Sequence, residues 1–143
     1  MAAARGLVDD LALGVDFSRE ILLTAELGLG DTSLIESATG LDALAVWHSA
    51  PLADSRTRDE VRVLKLAARD DAAFEAAIAA VEAAAAKAGI RRIAIRCQSR
   101  YVEAFRRLIA RGYRVRWTDL RMTYEAYPER HAAQGVLFSN WEI

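Results

Sequence analysis

The stretch VRVLKLAARDDAAFEAAI, residues 61–78, decides the fold, because a strand, a turn and a helix meet in it with no glycine or proline between them. VRVLKL is apolar and β-branched enough for a strand, but its alternation changes phase: Val61 and Val63 share one face, Leu64 and Leu66 the other. An inserted bulge residue produces such a slip in a short strand. The helix that follows, about Ala72 to Ala88, carries Phe74, Ile78, Val81, Ala85 and Ala88 on one stripe and stops at Gly89. Asp70 and Asp71 stand at the junction. Strand-to-helix junctions can hold phosphates through backbone N–H groups and glycines that permit close approach. With two carboxylates and no glycine, these residues suit helix capping instead.

Upstream, DTSLIES (31–37) and LDALAVWH (41–48) flank Ala38, Thr39 and Gly40, a connection that suits a β-hairpin. A helix is expected over 16–28, capped by Asp16, with Ile21, Leu22 and Ala25 inward and Gly28 and Gly30 ending it. Residues 1–15 lack a clean period and read as a loose segment or short helix, and Pro51 to Arg58 as a polar loop. Downstream, RRIAIRCQ is a strand with Ile93, Ile95 and Cys97 in alternation. A helix ending at Gly112 places Tyr101, Ala104, Phe105 and Leu108 inward. YRVRWTDLRMTY reads as a further strand, its alternation shifting between Trp117 and Leu120, with GVLFSNW as its closing partner. Strands that meander first and then alternate with helices indicate an α/β (α+β) fold: a mixed, mostly antiparallel sheet with helices on both faces, forming one domain over 16–143.

Composition narrows the function. A chain of 143 residues, 53% hydrophobic and 27% charged, supports one core. The formal net charge of -1 leaves no electrostatic footprint for nucleic acid, and the arginines between Arg91 and Arg116 read as a solvated face. No apolar run is long enough for a bilayer, so no membrane partner is expected. The opening MAAARGLVDD lacks the pattern of a secretory leader, and Cys97 is the only cysteine, so a cytoplasmic protein without a disulfide is expected. His48 and His131, the only histidines, lie far apart with no carboxylate pattern between them, so no metal site is expected.

From about residue 31 onward the arrangement resembles the GNAT superfamily of acyl-coenzyme A dependent N-acyltransferases. VRVLKL is similar to the family's bulged, splayed central strand, and YVEAFRRLIARGY to its penultimate helix motif, N-x-x-A-x-x-x-Y-x-x-x-G-F. More narrowly, DFSREILLTAELGLGDTSLIES followed by LDALAVWH, and the ending GVLFSNWEI, resemble the C-terminal domain of bacterial proteins carrying two GNAT domains in tandem. The resemblance implies transfer of an acetyl or other acyl group from acetyl-CoA or another acyl-CoA to an amine. Its alternative is a catalytically silent GNAT-like module for interaction, dimerisation or ligand sensing.

By the resemblance, Leu64, Leu66 and Ala67 flank the acyl group and pantetheine arm, and the turn from Arg69 through Asp70, Asp71, Ala72 and Ala73 to Phe74 meets the pyrophosphate. Of that turn's signature, Q/R-x-x-G-x-G/A, Arg69 matches, while Ala72 and Phe74 replace the glycine and the small residue. A carboxylate about 6 Å from a phosphate opposes binding by roughly 2 to 3 kcal/mol at an effective dielectric near 20. In the helix motif Ala104 takes the alanine position, Tyr101 replaces the asparagine, and Leu108 replaces the tyrosine that serves as general acid. Leucine cannot donate a proton, which leaves Tyr101, Tyr113 and Tyr124 as candidate acids. Glu36, Glu60 and His48 are the candidate bases for deprotonating the acceptor amine, and Cys97 reads as a buried, inert thiol. The family's core also begins with a strand and a helix that have no counterpart before Asp16. The resemblance therefore implies an open sheet edge covered by a homodimer or protein partner, and Phe138 and Trp141, near the end of the chain, are expected to be covered either by that partner or by packing within one subunit.

Overall fold

The computed structural model describes residues 1–51, 59–120, 122, 124–127 and 131–139. Most of the expected loop after Pro51, parts of the expected 113–124 strand, and Trp141 lie outside them.

Ala4, Leu7, Val8 and Leu11 recur at helical spacing and bury one face of α1 (Ala2–Leu11). The opening segment is therefore a core helix and not a loose tail. In α2 (Ser18–Glu26) the inward groups are Phe17, Ile21 and Thr24, four and three residues apart, whereas the expected Leu22 and Ala25 face solvent. Asp16 does act at its start, accepting the Ser18 N–H at 2.8 Å.

β1 (Gly30–Ser37) and β2 (Gly40–His48) form the expected antiparallel hairpin. A Cβ at Gly30 would stand 1.9 Å from the Trp47 carbonyl oxygen, so only glycine lets the strands close there. β3 (Glu60–Ala68) pairs antiparallel with β2, and the register moves from Val46↔Lys65 to Trp47↔Val63, leaving Leu64 as the extra residue. The bulge explains the phase slip. It returns Leu66 to the face already holding Val61 and Val63, so that all three bury their side chains on one side.

α3 (Asp71–Lys87) buries Phe74, Ile78, Val81 and Ala85, while Ala88, beyond its end, is exposed. β4 (Arg92–Ile95) runs parallel to β3 from Glu60↔Arg92 to Val63↔Ile95 and ends before Cys97. α4 (Val102–Ala110) buries Ala104 and Leu108, with Tyr101 just ahead of it, but Phe105 is 40% exposed instead of inward. β5 (Val136–Ser139) pairs antiparallel with Lys65–Ala68 of β3.

The sheet order is β1-β2-β3-β4, with β5 also on β3, and the sheet is mixed and mostly antiparallel. Consecutive buried residues, Ala43 to Val46 on β2 and Leu66 to Ala68 on β3, require cover on both faces. Phe138 meets Phe74 and Tyr101 on the α3 and α4 face, while Lys65 meets Glu20 and Phe17 on the opposite face, beneath α2.

One expectation about the C-terminal part is overturned, and for Phe138 the structure takes packing within one subunit over exposure at an interface. Tyr113 to Leu120 forms no strand, because β4 is only four residues long and the strand expected to pair with this segment lies on β3 instead. Phe138 is 1% exposed, since its ring enters the core between two other aromatic rings. At the other side of the sheet β1 pairs only with β2 among the described residues, so that edge is open as expected.

Candidate functional site: the groove along β3

The expected site residues converge on the second half of β3 and the start of α3. One edge of β3 serves two strands in succession. β4 pairs with it through Val63, then parts from it at the Leu64 bulge, and β5 takes the same edge from Lys65 to Ala68. The groove between the diverging parallel strands is thus filled by an extended piece of the chain's own backbone. Leu64 is half-buried at the mouth of this groove, and Leu66 and Ala67 are fully buried within it, paired with Phe138 and Leu137.

The turn after β3 is a capped helix start. Asp70 has an extended backbone and accepts the Ala73 N–H at 2.8 Å through its side chain, and its carbonyl accepts the Phe74 N–H at 2.9 Å. Ala73 is buried and Phe74 is wholly buried, edge-on to Phe138 with ring centroids 5.8 Å apart. Ala72 is exposed. Asp71 accepts from Arg107 of α4 at 3.0 Å, and the same guanidinium donates to Glu75. Arg69, the residue that matches the pyrophosphate signature, points elsewhere: its Nη2 donates to Asp10 of α1 at 3.0 Å and its Nε to the Leu41 carbonyl at 3.2 Å. In this arrangement Arg69 fastens α1 to β2.

The candidate proton-transfer groups are not brought together. Tyr101 stands over the groove, its ring 5.6 Å from that of Phe138, and its hydroxyl accepts the Ala132 N–H at 3.4 Å. Glu60 lies at the other end of β3, roughly 15 to 20 Å away along the strand, where it accepts from Arg116 at 3.0 Å. His48 is buried beneath α2, 2.9 Å from the Thr24 hydroxyl through Nε2, on the face away from Tyr101. Burial, and then the neighbouring Arg62, lowers its pKa. Glu36 is exposed near the hairpin turn. Tyr113 donates to Glu82 at 3.2 Å, and burial raises its pKa well above the usual phenol value. Tyr124 is exposed beside Tyr127. Leu108, at the family tyrosine position, is core. Burial pushes the Cys97 thiol up to about 11, which suits the inert role expected of it.

Sequence reasoning missed the shallow cleft of about 340 Å³ between α3 and α4, lined by Glu75, Glu103, Arg106, Arg107, Ala110 and Arg111. Its signal was the spacing of charges along both helices. The charges there pair with one another, Arg106 with Glu103 and Arg111 with Glu75 and Glu82, so the cleft is an ion-pair seam. No group of three metal-ligating side chains occurs among the described residues, and none of their helices is long and apolar enough to cross a membrane.

No protein-family model matches the chain, and no curated protein matches it in sequence. Solved structures do. The chain is similar to TTHA1254 from Thermus thermophilus, at 18% identity over 87% of this chain and 92% of the other, with a TM-score of 0.65 for a single-substitution mutant. The wild-type structure of that protein gives a TM-score of 0.61. A tetramutant of BH1408 from Bacillus halodurans is similar at 15% identity over 78% of this chain and 76% of the other, with a TM-score of 0.58. At these identities the likeness is one of fold.

Proposed function

We propose that this chain is an acyl-coenzyme A dependent N-acyltransferase-type domain of the cytoplasm whose ligand groove lies along Leu64–Ala68 of β3. One observation carries the reading: β4 leaves β3 at a bulge, and the vacated edge accepts an extended amide chain, namely β5. A pantetheine arm is also an extended chain with two amides, and a strand edge offers it the same N–H and C=O partners that it offers a peptide. β5 therefore stands in for the ligand class and supports its fit to this half of the site.

The turn at the start of α3 fits the other half less well. Its Ala73 and Phe74 N–H groups already serve Asp70, and Asp70 adds a negative charge where a pyrophosphate would sit. In the transfer itself the thioester C–S bond breaks, a C–N bond forms, and the proton given up by the amine ends on the departing thiolate. Tyr101, whose ring lies against Phe138 of the strand in the groove, is the candidate donor of that last proton.

Calorimetric titration with acetyl-coenzyme A, with a thermal-shift readout alongside, tests the reading. Saturable heat and a raised Tm at sub-millimolar ligand are expected; no heat and no shift at millimolar ligand overturns it. The second reading, a silent module, is favoured by the capped turn and by Asp71 and Glu75 being engaged with Arg107. The open edge of β1 supports pairing with a second copy in either case. A monomer by sedimentation at micromolar concentration removes that part.

A further inference from the structure

β5 holds its place through a short ladder. It makes four residue pairs with β3, where β1 makes eight with β2. Beyond the ladder, Phe138 enters between Phe74 and Tyr101, with centroids 5.8 and 5.6 Å away, and Lys65 Nζ donates to Ser139 Oγ at 3.4 Å. Gly135 immediately precedes the strand, with a φ of +70°, and a Cβ there would stand 2.2 Å from the Ala68 carbonyl oxygen. Entry to the groove thus depends on a residue without a side chain.

A second place for a strand lies on the far side of β4. That strand pairs only with β3 among the described residues, so its outer edge is open. Tyr113 to Trp117 has the alternation of a strand without the pairing of one, and Val115 and Trp117 are 59% and 52% exposed. On α4, Val102, Phe105 and Ile109 form a stripe outside the core, at 51%, 40% and 44% exposure. Open backbone edges and exposed apolar stripes are groups that a strand laid there would cover.

We propose that β5 is an autoinhibitory strand that occupies the groove along Lys65–Ala68 and leaves it when acyl-coenzyme A binds. The proposal rests on the acyl-coenzyme A reading above. Ligand and strand compete for one set of backbone groups, so the observed affinity is the intrinsic affinity reduced by the fraction of molecules with β5 displaced.

The test fastens the strand. Ala67 and Leu137 are direct cross-strand partners, a separation that a disulfide spans. The Ala67→Cys, Leu137→Cys pair in a Cys97→Ser background is titrated with acetyl-coenzyme A when oxidised and again after reduction with a phosphine. The oxidised form is expected to bind at least tenfold more weakly than the same variant reduced. Gly135→Ala, which obstructs the seating of β5, is expected to bind more tightly than the wild type. In the wild type, ligand is expected to speed hydrogen exchange at the Leu137 and Phe138 amides. Equal binding by the oxidised and reduced forms, or wild-type binding with unchanged exchange at those amides, overturns the autoinhibitory strand and leaves the functional reading standing. Absence of binding by the wild type, the reduced form and Gly135→Ala alike overturns both.

Discussion

Asp70 serves two roles that conflict if the groove binds a coenzyme. Its carboxylate caps α3 by accepting the Ala73 N–H, and the same charge faces the place where a pyrophosphate would sit. Asp70→Asn keeps an oxygen for the cap and removes the charge. It is expected to leave the urea midpoint nearly unchanged and to strengthen acetyl-coenzyme A binding about tenfold, as calorimetry would read. Asp70→Ala is expected to lose about 1 kcal/mol of stability in the same urea titration. His48 supplies a test in pH. Its folded pKa is lowered from the ordinary value of 6.5, so the unfolded chain takes up the proton first as pH falls below that value. Stability is therefore expected to decline between pH 7 and pH 5, and the decline should be shallower in His48→Gln, as Tm measured against pH would show. Cys97, with its thiol at about 11, is expected to react slowly with iodoacetamide at pH 8 in the folded protein and quickly in denaturant.

At the scale of elements, the meeting of α3, α4 and β5 is a cluster of aromatic rings. Phe74 lies edge-on to Phe138, and Phe138 edge-on to Tyr101, so one ring of the last strand joins two helices. Phe74→Ala is expected to cost about 3 to 5 kcal/mol in chemical denaturation, because the cavity lies under three elements and none can close it alone. The hairpin has a different weak point. Gly30→Ala places a methyl group against the Trp47 carbonyl and is expected to lower Tm by separating β1 from β2 at their ends.

Across the whole molecule, the sheet has a long continuous half and a divided half. β1, β2 and β3 form an antiparallel meander paired along most of its length, while β4 and β5 each hold only part of β3. The second half depends on longer-range contacts, and its small ladders are the ones to open first. Hydrogen exchange is expected to protect the β2 amides most and the β4 and β5 amides least. Equal protection in β2 and β5 would contradict this division.

Much of the fold was legible in the chain because it follows from local pattern. The hairpin could be read from its glycine-containing turn, α3 from its stripe, and the bulge from the phase slip between Val63 and Leu66, each a short-range consequence of side-chain period. The register shift at Val46 and Trp47 confirms the last of these. The partner of β5 was not legible. GVLFSNW can pair with either of two strand edges, and which one it takes depends on whether the Phe138 ring gains more between Phe74 and Tyr101 than beside the segment from Tyr113 to Leu120. The direction of Arg69, turned to Asp10 of a helix 59 residues earlier, was likewise invisible to spacing. Local periodicity determined the hairpin, the bulged strand and α3, but not whether Tyr113 to Leu120 pairs as a strand. The tertiary structure alone decided what fills the groove along β3, because that is a competition between distant surfaces for one row of hydrogen-bonding groups.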